Sequence, residues 1–555
     1  MNKKLAESII KYILIIICVI LFGMICGLVI IGYDTFFTFV IDKINLPSNN
    51  HVDLNRLLYT ERRIAIWGML LSALLFSIIA LCFYKKLYTC IKQLLNHIII
   101  AIKNIWKDIS DLKSISILII PFTLSIYLGL TTPVSYDEAY TYITFVSKPF
   151  YYSISFYPNP NNHILYSILA NITEIIPFFS ELFCLRLPSI LISLMSWCIG
   201  YSFVKRNFSK KTAISVIGIT SVLFMSIYYS FIARGYGLCI LFFIISFYAT
   251  YNIIKKGSKS KDWIFLSIAS ILGVYTMPSF LYPLISLNVL IFIFNYRNIK
   301  QQIAYSLISG ITTLILYSPI MILQRGLSTI SNNRFVTSID RDEVINTLPS
   351  FLYKTIFEIF HICPIIIIGI ITISFIVACL NKDKFLIIAW LIFIISPFIL
   401  LIGHSVIPFP RTFIYYGFTI ILLTIVSLQS YIEKLKTTYI FICIIILQIT
   451  SSIYFINTIA IYESNNTTRK KLNDFVLKEK NKKYYLTYSI NSINFEYEYL
   501  IREYDPKYIS YDNNVAVSAD SINGFDFIII DRNKDATKYK TPIYKDSCQI
   551  VYSSK

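Results

Sequence analysis

The chain has 555 residues, of which 56% are hydrophobic and only 15% charged, whereas a soluble globular chain carries about a quarter charged residues. A soluble fold is excluded, because the apolar residues fall in long charge-free blocks of membrane-spanning length. Nor does the formal charge of +19 mark a nucleic-acid binder, since lysines confined to one set of membrane loops produce the same excess.

In chain order, about thirteen blocks meet the requirement of roughly 20 apolar residues per span. They are 12–32, 64–84, 115–131, 182–204, 212–231, 236–254, 262–278, 280–295, 302–323, 357–380, 385–402, 412–430 and 438–459. The run after "MNKKLAESIIKY" is too long for a signal peptide and has no small-residue cleavage site, so it reads as an uncleaved anchor. Lys85 and Lys86, Lys205 and Arg206, Lys255 and Lys256, Arg297 and Lys300, and Lys434 and Lys436 all fall on one side of this arrangement. That side is cytoplasmic by the positive-inside rule, and it holds the N-terminus. The segment 85–113 places lysines at near-helical intervals in apolar surroundings. It is an amphipathic helix along the inner leaflet or a plain cytoplasmic connector. The eleven cysteines form no Cys-x-x-Cys pair and lie mostly in apolar runs, which argues against zinc and disulfide frameworks.

Charge gathers at the outer rim. "SYDEAYTYITF" follows the span 115–131 and carries Asp137 and Glu138 among Tyr136, Tyr140, Tyr142 and Phe145. An acid at a membrane boundary is often only a solvated cap. One walled by aromatic rings is partly desolvated, a setting in which a carboxylate serves as a general base. The rings themselves suit a sugar or form an interfacial belt. "YPNPNNHILYSILANITEIIPF" turns at its prolines and asparagines, then continues as a helix lying in the outer interface. Asn161, Asn162 and His163 head that helix as caps or as substrate contacts.

Arg234, in "FIARGYG", is the only charge between Lys211 and Lys255. It is a snorkelling arginine, or a guanidinium flanked by Tyr228, Tyr229 and Tyr236 that suits a lipid phosphate. Arg411, in "PFPRTF", is a second lone rim cation, approached through two prolines. The loop 324–356 reads mainly as solvated charge, with Arg325 as a further phosphate contact. Span centres are nearly free of charge, Glu358 and His361 standing toward an outer end. Carriers place ionisable groups near the midplane, so the pattern favours an enzyme on a lipid-linked substrate over a transporter or flippase. Beyond about Glu463, "KKYYLTYSI", "KYISYD", "GFDFIIIDR" and "CQIVYSSK" read as strands and "NFEYEYLIREY" as a helix. The expected architecture is an all-α polytopic membrane protein with a small extracytoplasmic α/β domain. Its parts are 1–114, an N-terminal extension; 115–460, the transmembrane module; and 461–555, the outer domain.

The order and shared outer placement of "SYDEAYTY", "NNHILYSIL", "ELFCLRLPSILISLMSWCIGYSFVKRNF", "YSFIARGYGLCILFF" and "PFPRTFIYYGF" resemble the GT-C superfamily of membrane glycosyltransferases over residues 115–430. The likeness is to the protein O-mannosyltransferase and aminoarabinose transferase branch. It implies a GT-C-like fold, a sugar donor on a polyprenyl phosphate, and an acceptor hydroxyl on a lipid, glycan or protein at the outer face of a bacterial inner membrane. It implies Asp137 as the general base of an inverting displacement, with Glu138 in support. Arg234, Arg411 and Arg325 would hold the donor phosphate, and Asn161, Asn162, His163, Tyr136, Tyr140 and Tyr236 the substrates. Many relatives carry a Pro-Pro pair where "NNHI" stands here. Oligosaccharyltransferase relatives use a divalent ion, but the mannosyltransferase-like branch generally does not, and the rim lacks a clear Asp-x-Asp. No metal or other cofactor is therefore expected. The alternative is a ligase or polymerase of envelope glycans, for which the loop 324–356 is modest.

Overall fold

The structure is a computed structural model that describes residues 3–44, 60–157, 160–323, 338–464, 484–487, 526–531, 542–545 and 549–553. Apolar segments without water partners must close their backbone hydrogen bonds internally, and they do so as helices. The first are α1 (Lys3–Ile31), α2 (Tyr33–Ile44), α3 (Thr60–Cys82), α4 (Tyr84–Ile109), α5 (Leu112–Thr131), α6 (Tyr136–Thr141), α7 (Tyr151–Ser155) and α8 (Ile164–Thr173). They continue as α9 (Glu181–Asn207), α10 (Lys210–Thr220), α11 (Phe224–Phe231), α12 (Tyr236–Lys255), α13 (Ser260–Thr276), α14 (Leu281–Asn295) and α15 (Ile299–Leu323). Helices Arg341–Phe360, Pro364–Leu380, Lys384–His404, Tyr415–Ser427 and Thr437–Ser464 complete the bundle.

Among the described residues, eight helices are long and apolar enough to cross a membrane, or eleven if each of three bent pairs is one span. The chain is an integral membrane protein, and the difference from thirteen spans has local causes. The expected span 212–231 breaks into α10 and α11, bent by 71°. The expected span 357–380 breaks into Arg341–Phe360 and Pro364–Leu380, bent by 90°. His361 ends the first of these in the left-handed region at φ 51°, and Pro364 opens the second, where its missing N–H has no partner to lose. Helix α13 has 17 residues and is short for a span. The expected pair 280–295 and 302–323 forms one apolar stretch, Pro278–Leu323, built from α14 and α15. Residues 324–337 lie outside the described part, and with them Arg325.

Most of the segment 85–113 is helical, a form that both readings of it allow. Helix α4 turns by 85° from α3 and runs 26 residues. Asp111 then caps α5, accepting from the Ser114 N–H at 3.2 Å and the Ser114 hydroxyl at 2.6 Å. Inside the bundle, buried polar groups find partners, as apolar surroundings demand. Gln448 donates to the Ile117 carbonyl at 3.0 Å, and Ser189 donates to the Ile232 carbonyl at 2.7 Å. The second of these bonds ties α9 to the turn that carries Arg234.

Toward the C-terminus, strands β1 (Tyr484–Thr487), β2 (Phe527–Asp531), β3 (Pro542–Lys545) and β4 (Gln549–Ser553) form one sheet in the order β1-β2-β4-β3. β1 runs parallel to β2, whereas β4 is antiparallel to both β2 and β3. β1, β2 and β4 fall in stretches read as strands, and β3 is an addition. The expected strand "KYISYD" and helix "NFEYEYLIREY" lie outside the described residues.

Candidate active site

The two adjacent carboxylates take opposite roles. Ser135 caps α6, and Glu138 at its third position closes a capping box. The Glu138 side chain turns inward and is fully buried beside Arg186 of α9. Arg186 Nε donates to Glu138 Oε1 at 2.7 Å and Nη2 donates to Oε2 at 2.7 Å. The remaining Arg186 N–H groups donate to the carbonyls of Gly129 at 3.0 Å, Thr132 at 2.6 Å and Pro133 at 2.8 Å. Glu138 also accepts from the Ser135 N–H at 3.0 Å and the Ala233 N–H at 2.9 Å. Burial alone would push its carboxyl up, but the Arg186 charge and these bonds outweigh burial and hold it below the usual carboxylate range. Glu138 is thus a fixed anion that ties the end of α5, the start of α6, α9 and the turn at Ala233 into one unit.

Asp137, the preceding residue, faces the other way and keeps 27% side-chain exposure. Its Oδ2 lies 3.8 Å from Arg234 Nε and 3.9 Å from Arg411 Nη2. Both separations exceed a hydrogen bond, so the carboxylate sits between two cations without being locked to either. Arg234 is almost entirely buried and is positioned through its Nη1, which donates to the Asn161 carbonyl at 3.1 Å and to Thr141 Oγ1 at 3.3 Å. Arg411 stands in the turn Pro410–Phe413, its guanidinium 4.4 Å from the Phe409 ring centre and 5.9 Å from that of Tyr236. The Nε atoms of Arg234 and Arg411 are buried without a hydrogen-bond partner. Two guanidinium groups against one carboxylate leave a surplus positive charge, and orphaned buried donors call for an anionic acceptor.

Of the "NNH" residues, Asn161 contributes its backbone carbonyl to Arg234. Asn162 is buried and holds the loop, donating to the carbonyls of Ser153 at 3.0 Å and Phe156 at 2.8 Å and accepting from Ser167 at 3.0 Å. The His163 Nδ1 accepts from the Gly235 N–H at 2.6 Å. That bond puts the ring proton on Nε2, which lies 3.5 Å from Arg234 Nη2. Burial, then the nearby Arg234 and Arg411 charges, push the His163 pKa well down, so the ring is neutral and presents an N–H beside the guanidinium. Tyr236 packs edge-on against His163 with ring centres 5.0 Å apart. Tyr140 is buried in an aromatic cluster with Phe145, Tyr152 and Phe156, which Tyr136 flanks. Both stand in the aromatic wall of the loop.

A family model described as dolichyl-phosphate-mannose-protein mannosyltransferase matches residues 164–323. No curated protein matches the sequence. A crystal structure of ArnT from Cupriavidus metallidurans bound to undecaprenyl phosphate superimposes with a TM-score of 0.52 at 11% identity, covering 80% of this chain and 97% of that one. The chain shares the fold of this ArnT structure. The matched family segment includes helix α8, Arg186 and Arg234; Asp137 and Arg411 lie outside it, and the fold sets Asp137 between Arg234 and Arg411.

Arg186 is the functional residue that sequence reading passes over. It lies within the quoted "ELFCLRLPS", six residues past the Ser180 cap of α9, where an arginine reads as a snorkelling end-of-span cation. Gly235 is the second. A Cβ there would come within 2.7 Å of Thr276 Cγ2 and 2.8 Å of His163 Cβ, so only glycine lets the turn seat against the histidine.

Proposed function

We infer that the chain is an integral-membrane glycosyltransferase that moves a sugar from a polyprenyl phosphate to an acceptor hydroxyl at the outer rim of a bacterial inner membrane. One observation carries the reading: Asp137 lies free of hydrogen bonds to either of two buried or half-buried guanidinium groups whose Nε atoms lack acceptors. The GT-C fold and the lipid phosphate bound to ArnT support the choice of substrate. In this reading Asp137 takes the proton of the acceptor hydroxyl as its oxygen attacks the anomeric carbon. The bond from that carbon to the phosphate oxygen breaks, the electron pair leaves with the lipid phosphate, and the carbon inverts.

A positioned general base contributes about 10²–10⁴-fold. Charge grows on the departing phosphate, where Arg234, Arg411 and the His163 Nε2–H supply donors that need no rearrangement. Glu138 positions Asp137 and touches no substrate. The reading uses no metal, since the guanidinium groups fill the cationic role.

The test is Asp137→Asn, assayed for sugar transfer in membranes at matched protein level. Transfer should fall by about 10²-fold or more, while retention of the polyprenyl-phosphate donor persists. Wild-type transfer by the variant would remove the base and the reaction class with it. Mass spectrometry of envelope lipids and glycans with and without the protein would name the sugar and acceptor.

A further inference from the structure

Helix α4 lies at the end of the bundle opposite the charged rim. It packs against α1 and against the inner end of α9, which lies twenty residues and so about 30 Å along the axis from Arg186. Both ends of α4 are tied to spans. Only Phe83 separates it from α3, and only Ser110 and Asp111 separate it from α5. A helix pinned at both ends to the surface where two spans emerge runs along that surface.

The three sides of α4 differ sharply. One packs on α9 and carries the helix's only acid, Asp108, which is buried. Asp108 accepts from Ser202 at 2.6 Å and pairs with Arg206, while its carbonyl accepts from Lys205. A second side exposes Ile91, Leu95, Ile98, Ile99, Ile102 and Trp106, spaced as one ridge along the helix. Along the polar flank stand Lys85, Lys86, Lys92, Lys103 and Lys107, all exposed. With Asp108 turned into the bundle, the exposed flank carries five positive charges and no negative one.

We propose that α4 is a docking surface for anionic phospholipid headgroups of the leaflet opposite the site, with its apolar ridge in the acyl region and its lysines on the phosphates. Charge complementarity selects this occupant. A second copy placed across the ridge would set like-charged lysine rows side by side, and a zwitterionic surface would leave them unbalanced. Lysines flanking an exposed apolar ridge extend along the interface and reach headgroups at their own depth. The proposal is independent of the chemistry at the rim.

The full-length protein is reconstituted in phosphatidylcholine nanodiscs that contain, at equal mole fraction, brominated phosphatidylglycerol or brominated phosphatidylcholine. Trp106 emission is taken as the difference between the parent and Trp106→Phe. Each lysine near an anionic surface favours it by about fivefold, so brominated phosphatidylglycerol should be enriched at Trp106 by about fivefold or more. High salt should reduce the excess. Equal quenching by the two lipids overturns the proposal, and so does the absence of quenching by either. As a second measurement, native mass spectrometry should find less phosphatidylglycerol retained by the combined Lys85→Gln, Lys92→Gln, Lys103→Gln and Lys107→Gln variant than by the parent. Equal retention would count against it.

Discussion

Replacing Glu138 with Gln changes one atom and no shape, yet the structure requires a large effect. At Oε1 the side chain faces two donors, Arg186 Nε and the Ala233 N–H. At Oε2 it faces Arg186 Nη2, the Ser135 N–H and the Ser135 hydroxyl. Either orientation of the amide therefore points an NH₂ group at donors, and the buried Arg186 charge loses its counter-ion. Removing one partner of a buried ion pair costs about 3–5 kcal/mol. The loss falls on the joint that holds α6 against the turn of Arg234, so Asp137 loses its place between the cations as well. The assay is paired: thermal melting of the purified protein in detergent, and sugar transfer in membranes at matched level. Glu138→Gln should lower both melting temperature and transfer, whereas Asp137→Asn should lower transfer alone. A Glu138→Gln protein that melts and works like the parent would refute the assignment of Glu138 as the anchor.

Two further outcomes follow from the same geometry. His163 has its pKa pushed down by burial and by Arg234, from an ordinary value of 6.5. Below that value the unfolded chain binds a proton that the folded protein refuses. Stability should therefore be full above about pH 6.5 and fall by up to about 1.4 kcal/mol per unit below it. Melting profiles against pH should be flatter in His163→Asn, and identical slopes would show that His163 is not the group responsible. Gly235→Ala should lose about 1–3 kcal/mol to overpacking against His163 and Thr276. Its transfer activity should drop because the displaced imidazole leaves Arg234, and unchanged melting and transfer would show that the turn yields freely.

What the sequence makes legible here is what one-dimensional patterns encode. Apolar blocks without charge locate the spans, because each must satisfy its own backbone. Lysines gather in alternate loops, which orders those spans. Asp137, Arg234 and Arg411 stand out because they are isolated charges in apolar or aromatic stretches, and the fold brings these three together across 274 residues of chain, from 137 to 411. The breaks at 221–223 and 361–363 are less legible. A span with a bend of 71° has the same composition as a straight one. Pro364 marks one break, and the left-handed His361 that makes it belongs to a residue type enriched in that region, but every histidine in a sequence carries the same weak hint. Ring-rich loops supply both walls and substrate contacts, and the composition around Tyr140 suits either role.

Arg186 could be found only by accounting for a helix end. Helix α5 stops at Thr131 and is followed by Thr132 and Pro133, with no glycine to turn its last carbonyls onto the chain. At a membrane boundary those carbonyls lack the water that would serve a soluble helix. A guanidinium offers five N–H groups in a planar fork. Three of those in Arg186 go to the carbonyls of Gly129, Thr132 and Pro133, and two go to Glu138. The arginine that closes the helix end thus requires a carboxylate at a fixed place, and Glu138 supplies it from the first turn of α6. On so short a helix the neighbouring residue must point elsewhere, toward the open rim. The pairing of Asp137 with Glu138 is then a consequence of charge balance: one carboxylate neutralises the buried cation that fixes the loop, which leaves the other free between Arg234 and Arg411.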